Sequence, residues 1–225
     1  MKLLICLAVG LVTVVFAVAR SDDRGPGTTQ PAPGRKLPPP ALTGPLTLEE
    51  AIVSRRSVRD FAEQPLTDRE LSQLCWAAQG VTDERTGHRA APSAGALYPL
   101  ELYLVTPEAV EHYQSKGHRL LRHLDGDQRR AVQAAALQQE SVGQAPLCLV
   151  ITAVVERTAR KYGPQSERYC LIEAGHVAQN ILLQATALKL GAVPIGAFDE
   201  SSVSRALRLP KDHTVLYLIP VGRPR

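Results

Sequence analysis

One segment governs how this chain can fold. From Glu167 to Leu190 it reads ERYCLIEAGHVAQNILLQATALKL, the longest regular stretch, and Gly191 stops it. The pattern predicts a helix that is apolar around most of its circumference, and such a helix must be buried on most sides. Ala174, Gly175, Ala178, Ala185 and Ala187 would let a neighbouring helix approach closely. In a domain this small a second subunit could supply part of that burial, so a homodimer is expected. His176, set within this helix, reads as a satisfied buried histidine.

The remaining elements have to pack around that helix. LCLVITAVV, Leu147 to Val155, is apolar almost throughout and rich in β-branched residues, which predicts a buried central strand. Thr47 to Glu50 and Thr67 to Glu70 each have the form of a capping box, so each predicts a helix start. In the second helix Leu71, Leu74, Cys75 and Ala78 share one face before Gly80. Val81 to Ala91 reads as a loop, Glu101 to Val105 as a strand, and Thr106 to Tyr113 and Gln128 to Gln139 as helices. AVPIGAF and TVLYLIPVG are two further strands, joined by a short helix over Ser201 to Leu207. Few strands, long helices and no strict βα alternation predict an α+β sandwich.

The N-terminal part has a different composition. MKLLICLAVGLVTVVFAVAR has one lysine, an apolar run over residues 3–19 and an Ala17-Val18-Ala19 ending. Those are the parts of a secretory signal, and the run also meets the short limit of a membrane-spanning anchor. Residues 1–20 are therefore expected to export the chain or tether it to a membrane. Residues 21–45, with GPGTTQPAPGRKLPPP, hold almost no large apolar side chain and predict a disordered, proline-rich linker. The folded domain is expected over residues 46–225.

Charge and aromatic content narrow the function. The 26 Lys and Arg exceed the 22 Asp and Glu by only 4, and aromatics make up 4% of the chain. Basic residues interleaved with stacking rings are missing, so nucleic-acid binding has no support. Cys75, Cys148 and Cys170 each sit in apolar surroundings and read as small buried hydrophobes. His118 and His123 are spaced for different faces of a helix, and no metal site is expected. Phosphate-loop, dinucleotide, nucleophile-elbow and zinc-protease signatures are all missing from the chain.

Three segments have unusual chemistry. SRRSVRDF, Ser54 to Phe61, crowds Arg55, Arg56 and Arg59 with Ser57, a set of forked and hydroxyl donors suited to a phosphate. PSAGALYPLE, Pro92 to Glu101, contains side chains too small to obstruct a flat ligand laid on its backbone. The closing VGRPR puts Arg223 directly after an apolar strand.

Taken in series with AVPIGAFD, these segments resemble the nitroreductase-like flavoprotein superfamily. The nearest branch resembles the SagB/ThcOx type, which includes thiazoline and oxazoline dehydrogenases. The resemblance implies an α+β sandwich with a central, mostly antiparallel sheet flanked by helices, a homodimer, and FMN as cofactor. It implies that Arg55, Arg56, Ser57, Arg59 and Arg223 hold the phosphate and ribityl chain. Ser93, Ala94 and Gly95 would line the ring, from the opposite subunit, and Gly196 and Ala197 would approach its pyrimidine edge with backbone amides. The sequence departs from typical nitroreductases at Ala96 and Gly196, where an asparagine and a glutamate are common; both departures fit the SagB/ThcOx branch.

RKYGPQSERYCLIEAGHVAQN, Arg160 to Asn180, resembles the part of that branch in which a Lys-Tyr pair precedes the long helix. The resemblance assigns proton handling beside the flavin to Lys161 and Tyr162. Oxidising a C–H bond by hydride transfer needs a base for the second proton, and lysine can serve. The expectation is an exported FMN-dependent oxidoreductase passing electrons from a reductant such as NAD(P)H to a small nitro, quinone or similar acceptor. The alternatives are an azoline-type dehydrogenase acting on a peptide and a non-catalytic flavin-binding protein.

Overall fold

A computed structural model describes residues 34–225. Its first strand, Arg35–Lys36 (β1), pairs with a strand far along the chain. Arg35 forks to Asp68 and Glu111, and Leu37 is buried in the core. The expected linker over 21–45 therefore gives way to folded structure at its C-terminal end. A single leucine anchors the strap, and its proline-rich backbone is satisfied by side chains. Ser72 donates to the Pro38 carbonyl at 2.6 Å, and Gln73 accepts the Ala41 N–H at 2.9 Å. The proposed signal or anchor, including residues 3–19, lies outside the described residues.

Both capping boxes form. Thr47 caps Leu48–Ser54 (α1) and Thr67 caps Asp68–Gln79 (α2), with Glu50 and Glu70 reaching back to the cap backbone. The segment after α2, expected as a loop, is a short hairpin of Val81–Asp83 (β2) and His88–Arg89 (β3), turned by Asp83 and by Gly87 at φ +74°. The meander Leu100–Val105 (β4), Ala109–Gln114 (β5) and Arg119–Asp125 (β6) corrects a second expectation, since Thr106 to Tyr113 is a turn and a strand. The Thr106 hydroxyl accepts the N–H groups of Glu108 and Ala109, reversing the chain, and Val110 and Tyr113 are then buried from the strand. Tertiary burial here overrides local helix propensity.

The helix expected over Gln128 to Gln139 is two short ones, Arg129–Ala135 (α3) and Glu140–Gln144 (α4). Between them Leu137 and Gln138 take left-handed φ of 55° and 61°. Leu147–Ala153 (β7) is buried at all seven positions. It is followed by Val155–Tyr162 (α5), a helix not foreseen, and by the long Ser166–Ala187 (α6). Gly191–Ala192 (β8), Glu200–Leu207 (α7) and Thr214–Gly222 (β9) complete the chain.

The sheet has seven strands in the order β1-β6-β5-β4-β7-β9-β8, and every paired neighbour is antiparallel. Alternation in β4 and β7 divides the core between its two faces. Leu100, Leu102, Leu104, Leu147, Leu149 and Ile151 pack toward α2 and α6, while Tyr103, Val105, Cys148 and Val150 pack toward α3, α4 and α7. This is the α+β sandwich the pattern implied. Cys75, Cys148 and Cys170 are buried and unpaired.

Helix α6 is buried on only part of its circumference. Cys170, Ala174, Val177, Ala178, Ile181 and Ala185 face the core, while Leu171 (58%) and Ile172 (45%) are exposed. They share the surface with Leu48, Ile52 and Val53 of α1, which packs on α6. A Cβ built on Gly175 meets nothing within 4 Å, and His176, expected buried, faces outward.

Candidate functional site

The segment Ser54 to Phe61 leaves the C-terminus of α1 and is held by backbone pairing. Ser57 bridges Ala192 in β8 in parallel sense, the Val58 N–H donates to the Ala192 carbonyl at 3.1 Å, and Phe61 bridges Pro224. The approach to β8 is close enough that a Cβ on Gly191 would lie 2.6 Å from the Val58 side chain. This pairing ties the arginine segment to the turn that follows β8, where Gly196 and Ala197 are exposed.

Within that segment the guanidiniums differ in what they have left to give. Among the described residues Arg55, Arg56 and Arg59 form no ion pair; Arg56 donates to the carbonyls of Val53 and Arg55, closing the end of α1. Arg223 is committed elsewhere, to the Glu70 carboxylate at 2.9 Å and the Pro65 carbonyl at 3.2 Å. The anion-facing capacity therefore rests chiefly on Arg55 and Arg59, with Ser57 between them.

The second group forms around Gly95. This residue has φ +61°, in a short turn over Ala94–Ala96 where Ala96 and Tyr98 are also left-handed, at 53° and 48°. Such conformations are costly for residues with a Cβ, and they cluster at sites where the surroundings impose them. A Cβ at Gly95 would sit 2.8 Å from Tyr162 Oη and 2.9 Å from Lys161 Nζ. The chain thus brings the small-residue turn and the Lys-Tyr pair into direct contact across sixty-odd residues of sequence. Lys161 is exposed in the last turn of α5, where a cation complements the helix dipole. Its Nζ lies 5.4 Å from the centre of the Tyr162 ring, which packs edge-on against Tyr169.

Polar residues that sequence reasoning did not single out support this turn. Arg157 on α5 pairs with Glu101 at 2.6 Å and donates to the Tyr98 carbonyl at 3.3 Å, so it fixes α5 to the turn. Burial pushes the Glu101 carboxyl up, but His112, at 2.7 Å, and Arg157 outweigh it and hold it below its ordinary range. Glu173 on α6 is 2% exposed and accepts from Gln79, whose own oxygen accepts from Arg89 at 3.0 Å. The Ser93 hydroxyl accepts the Tyr98 N–H at 2.9 Å. Burial raises the Glu173 pKa, and Ser93, Gln79 and Arg89 offset only part of the rise. The available signal was a lone carboxylate spaced three and four residues from Cys170 and Val177 on the buried face.

No hydrogen bond or ion pair joins the two groups among the described residues. Their chemistry is nevertheless complementary toward one ligand. Among the described residues, the first offers guanidiniums without an ion-pair partner and, at Gly196 and Ala197, backbone N–H groups without an acceptor; the second offers the amides of Ala94 and Gly95, likewise without an acceptor. Only Tyr217, at 3.8 Å, lies near a Cβ built on Gly196, so nothing inside the chain demands glycine there. A phosphate with a flat, polar-edged ring fits this donor set. Lys161 and Tyr162 add a proton donor or acceptor beside the turn.

Comparison with known proteins gives a consistent result. The model of the nitroreductase family matches residues 52–223. A Methanocaldococcus jannaschii protein named as a nitroreductase is 45% identical over 184 residues, covering 79% of this chain and 91% of that protein. The microcin B17-processing protein McbC of Escherichia coli is 28% identical over 166 residues, covering 68% of this chain and 60% of that one. Among solved structures, one from Ralstonia eutropha titled a nitroreductase superposes with a TM-score of 0.77 at 29% identity, over 87% of this chain and 94% of that chain. The NADPH:FMN oxidoreductase of Vibrio harveyi, solved with NAD+, superposes with a TM-score of 0.59 at 25% identity, over 79% and 68% of the two chains.

Proposed function

This chain belongs to the nitroreductase family, and on that premise we propose that it is an exported, FMN-dependent oxidoreductase acting as a homodimer. The observation that carries the reading is the packing of Lys161 and Tyr162 onto Gly95, which sets a proton-handling pair beside the turn suited to a flat ring. The relative from Vibrio harveyi, an FMN oxidoreductase by name, supports the choice of cofactor.

Arg55 and Arg59, with Ser57, bind the phosphate. The amides of Ala94 and Gly95 would line the ring, and those of Gly196 and Ala197 would serve its pyrimidine edge, where donors favour negative charge. When bound, the flavin supplies reversible acceptance of two electrons, taken from a reductant such as NAD(P)H and passed to a small electrophilic acceptor. Lys161 holds or takes a proton at Nζ. Arg223 is neutralised by Glu70, and its role is to hold the end of the arginine segment, its carbonyl accepting the Ala62 N–H at 2.9 Å.

The surface of α1 and α6 supports the assembly. The exposed Leu48, Ile52, Val53, Leu171 and Ile172, beside the open Gly175, support a second copy packing there, which would also let one chain's turn meet the other's arginines. Export rests on the composition of residues 1–20. Purified protein is expected to be a yellow dimer with stoichiometric FMN that bleaches with a reductant and recolours in air. A colourless monomer that takes up no added FMN would overturn both cofactor and assembly.

A second reading, an azoline-type dehydrogenase acting on a peptide, is favoured by the Lys161–Tyr162 pair and by the similarity to the microcin-processing protein. It predicts flavin bleaching by an azoline-containing peptide. Bleaching by NAD(P)H alone would reject it.

A further inference from the structure

We infer that a polar cleft between β4 and β5 binds a small organic acid, with the Arg89 guanidinium receiving its carboxylate. This does not depend on the FMN reading above. The two strands pair with each other only over residues 103–105 and 110–112. Beyond that pairing, residues 100–102 of β4 and 113–114 of β5 line a cleft of about 430 Å³. Arg89 of β3, Lys116 of the turn after β5, Arg157 of α5 and His213 before β9 line it as well.

Charge in this cleft is unbalanced. Three cations, Arg89, Lys116 and Arg157, face one carboxylate, Glu101, among its described lining residues. Glu101 is already spent, since Arg157 binds its Oε1 at 2.6 Å and His112 its Oε2 at 2.7 Å. The Gln114 side-chain amide donates to His112 Nδ1 at 3.1 Å, which leaves the Nε2 proton for Glu101. Arg89 has no such partner. It is half-buried, donates from its guanidinium to the Gln79 side-chain oxygen at 3.0 Å and lies 4.6 Å over the Tyr98 ring. Among the described residues neither Arg89 nor the exposed Lys116 forms an ion pair. Burial depresses the Arg89 pKa, and the charge of Glu101 offsets only part of the fall. A half-buried guanidinium with an unfilled fork is costly without an anion, and that fork matches a carboxylate. His213 has Nδ1 engaged by Tyr103 Oη at 3.1 Å and Thr152 Oγ1 at 3.3 Å, so its Nε2 is left for a ligand. Leu100, Leu102 and Pro210 give the cleft an apolar wall, and its volume suits an organic body better than a bare ion.

The test titrates succinate, acetate and inorganic phosphate into the full-length protein by isothermal titration calorimetry, at constant chloride and with FMN in excess. Succinate is expected to bind saturably and more tightly than acetate or phosphate. Arg89→Gln should weaken it roughly tenfold or more, the scale of a lost charge-assisted hydrogen bond. Lys116→Ala should weaken it roughly two- to fivefold, the scale of an exposed ion pair, and Arg55→Ala should leave it unchanged. No saturable binding by the parent, or equal affinity in Arg89→Gln, would overturn the inference. Loss of binding in Arg55→Ala would also overturn it, by placing the acid on the arginine segment. Tighter binding of phosphate than of succinate would overturn the assignment of an organic acid. If Arg89→Gln fails to fold, unchanged affinity in Lys116→Glu still overturns the cleft as the site. A protein that takes up no FMN would overturn the functional reading alone, because the Arg55→Ala comparison still separates the two sites.

Discussion

The two halves of the candidate site are built by different means. The arginine half is a strand-like segment held by backbone pairing to β8 and the C-terminus, and its arginines, half-buried at Arg55 and exposed at Arg56 and Arg59, form no ion pair among the described residues. The glycine-turn half is held by side chains: Lys161 and Tyr162 lie against Gly95, Arg157 donates to the Tyr98 carbonyl and pairs with Glu101, the Ser93 hydroxyl accepts the Tyr98 N–H, and the Tyr98 hydroxyl accepts the Arg89 N–H. Backbone pairing fixes where a segment lies while leaving its side chains free to meet an anion. A packed polar network also fixes where each proton points. Substitutions in the first half should therefore change affinity with little effect on the fold, and those in the second should change reactivity and stability together.

The largest expected effect belongs to Lys161→Ala. With a C–H substrate that must lose a proton, flavin bleaching should slow roughly 10²- to 10⁴-fold, while bleaching by NAD(P)H changes far less and FMN stays bound. Stopped-flow absorbance with each donor checks this, and near-normal rates with both would remove Lys161 from the mechanism. Next is Arg55→Ala, which loses a charge-assisted contact worth about 1.5–3 kcal/mol and should weaken FMN binding roughly ten- to a hundredfold. Its melting temperature without FMN should match the parent, since Arg55 forms no ion pair among the described residues; a large drop would blur the contrast between the halves.

Gly95→Ala sharpens the contrast from the other side. The left-handed backbone costs a residue with a Cβ about 1–2 kcal/mol, and that Cβ would push aside Tyr162 Oη and Lys161 Nζ. Lower thermal stability and slower turnover should appear in the same variant, measured by calorimetry and by steady-state rate. The smallest expected effect is that of Glu101→Gln, which keeps an acceptor for Arg157 but loses the charge, at about 1 kcal/mol near neutral pH. Because folding depresses the Glu101 pKa, its contribution is present above the ordinary carboxylate value of about 4.3 and fades as pH falls through the folded one. Stability profiles of parent and variant should converge in acid; parallel profiles would show that the Glu101 charge does not matter.

What the sequence settled by itself was local. The two capping boxes, the stop at Gly80, the buried run Leu147–Ala153 and the long helix ending before Gly191 each depend on residues within a few positions of one another. The candidate arginines and small-residue turn were also legible, as unusual chemistry and as a family resemblance. Tertiary structure decided whatever depends on partners distant in the chain. The Thr106–Gln114 region became turn and strand because its neighbours in the sheet bury Val110 and Tyr113. Leu37 drew the end of a proline-rich stretch into the core, and Glu70 took up Arg223. The contact of Lys161 with Gly95 and the hydrogen bond from Gln79 to Glu173 likewise arise only once α5 and α6 dock against the rest of the domain. Propensity and capping are paid out over single turns, whereas burial and charge pairing are fixed by whichever distant surface closes over a residue.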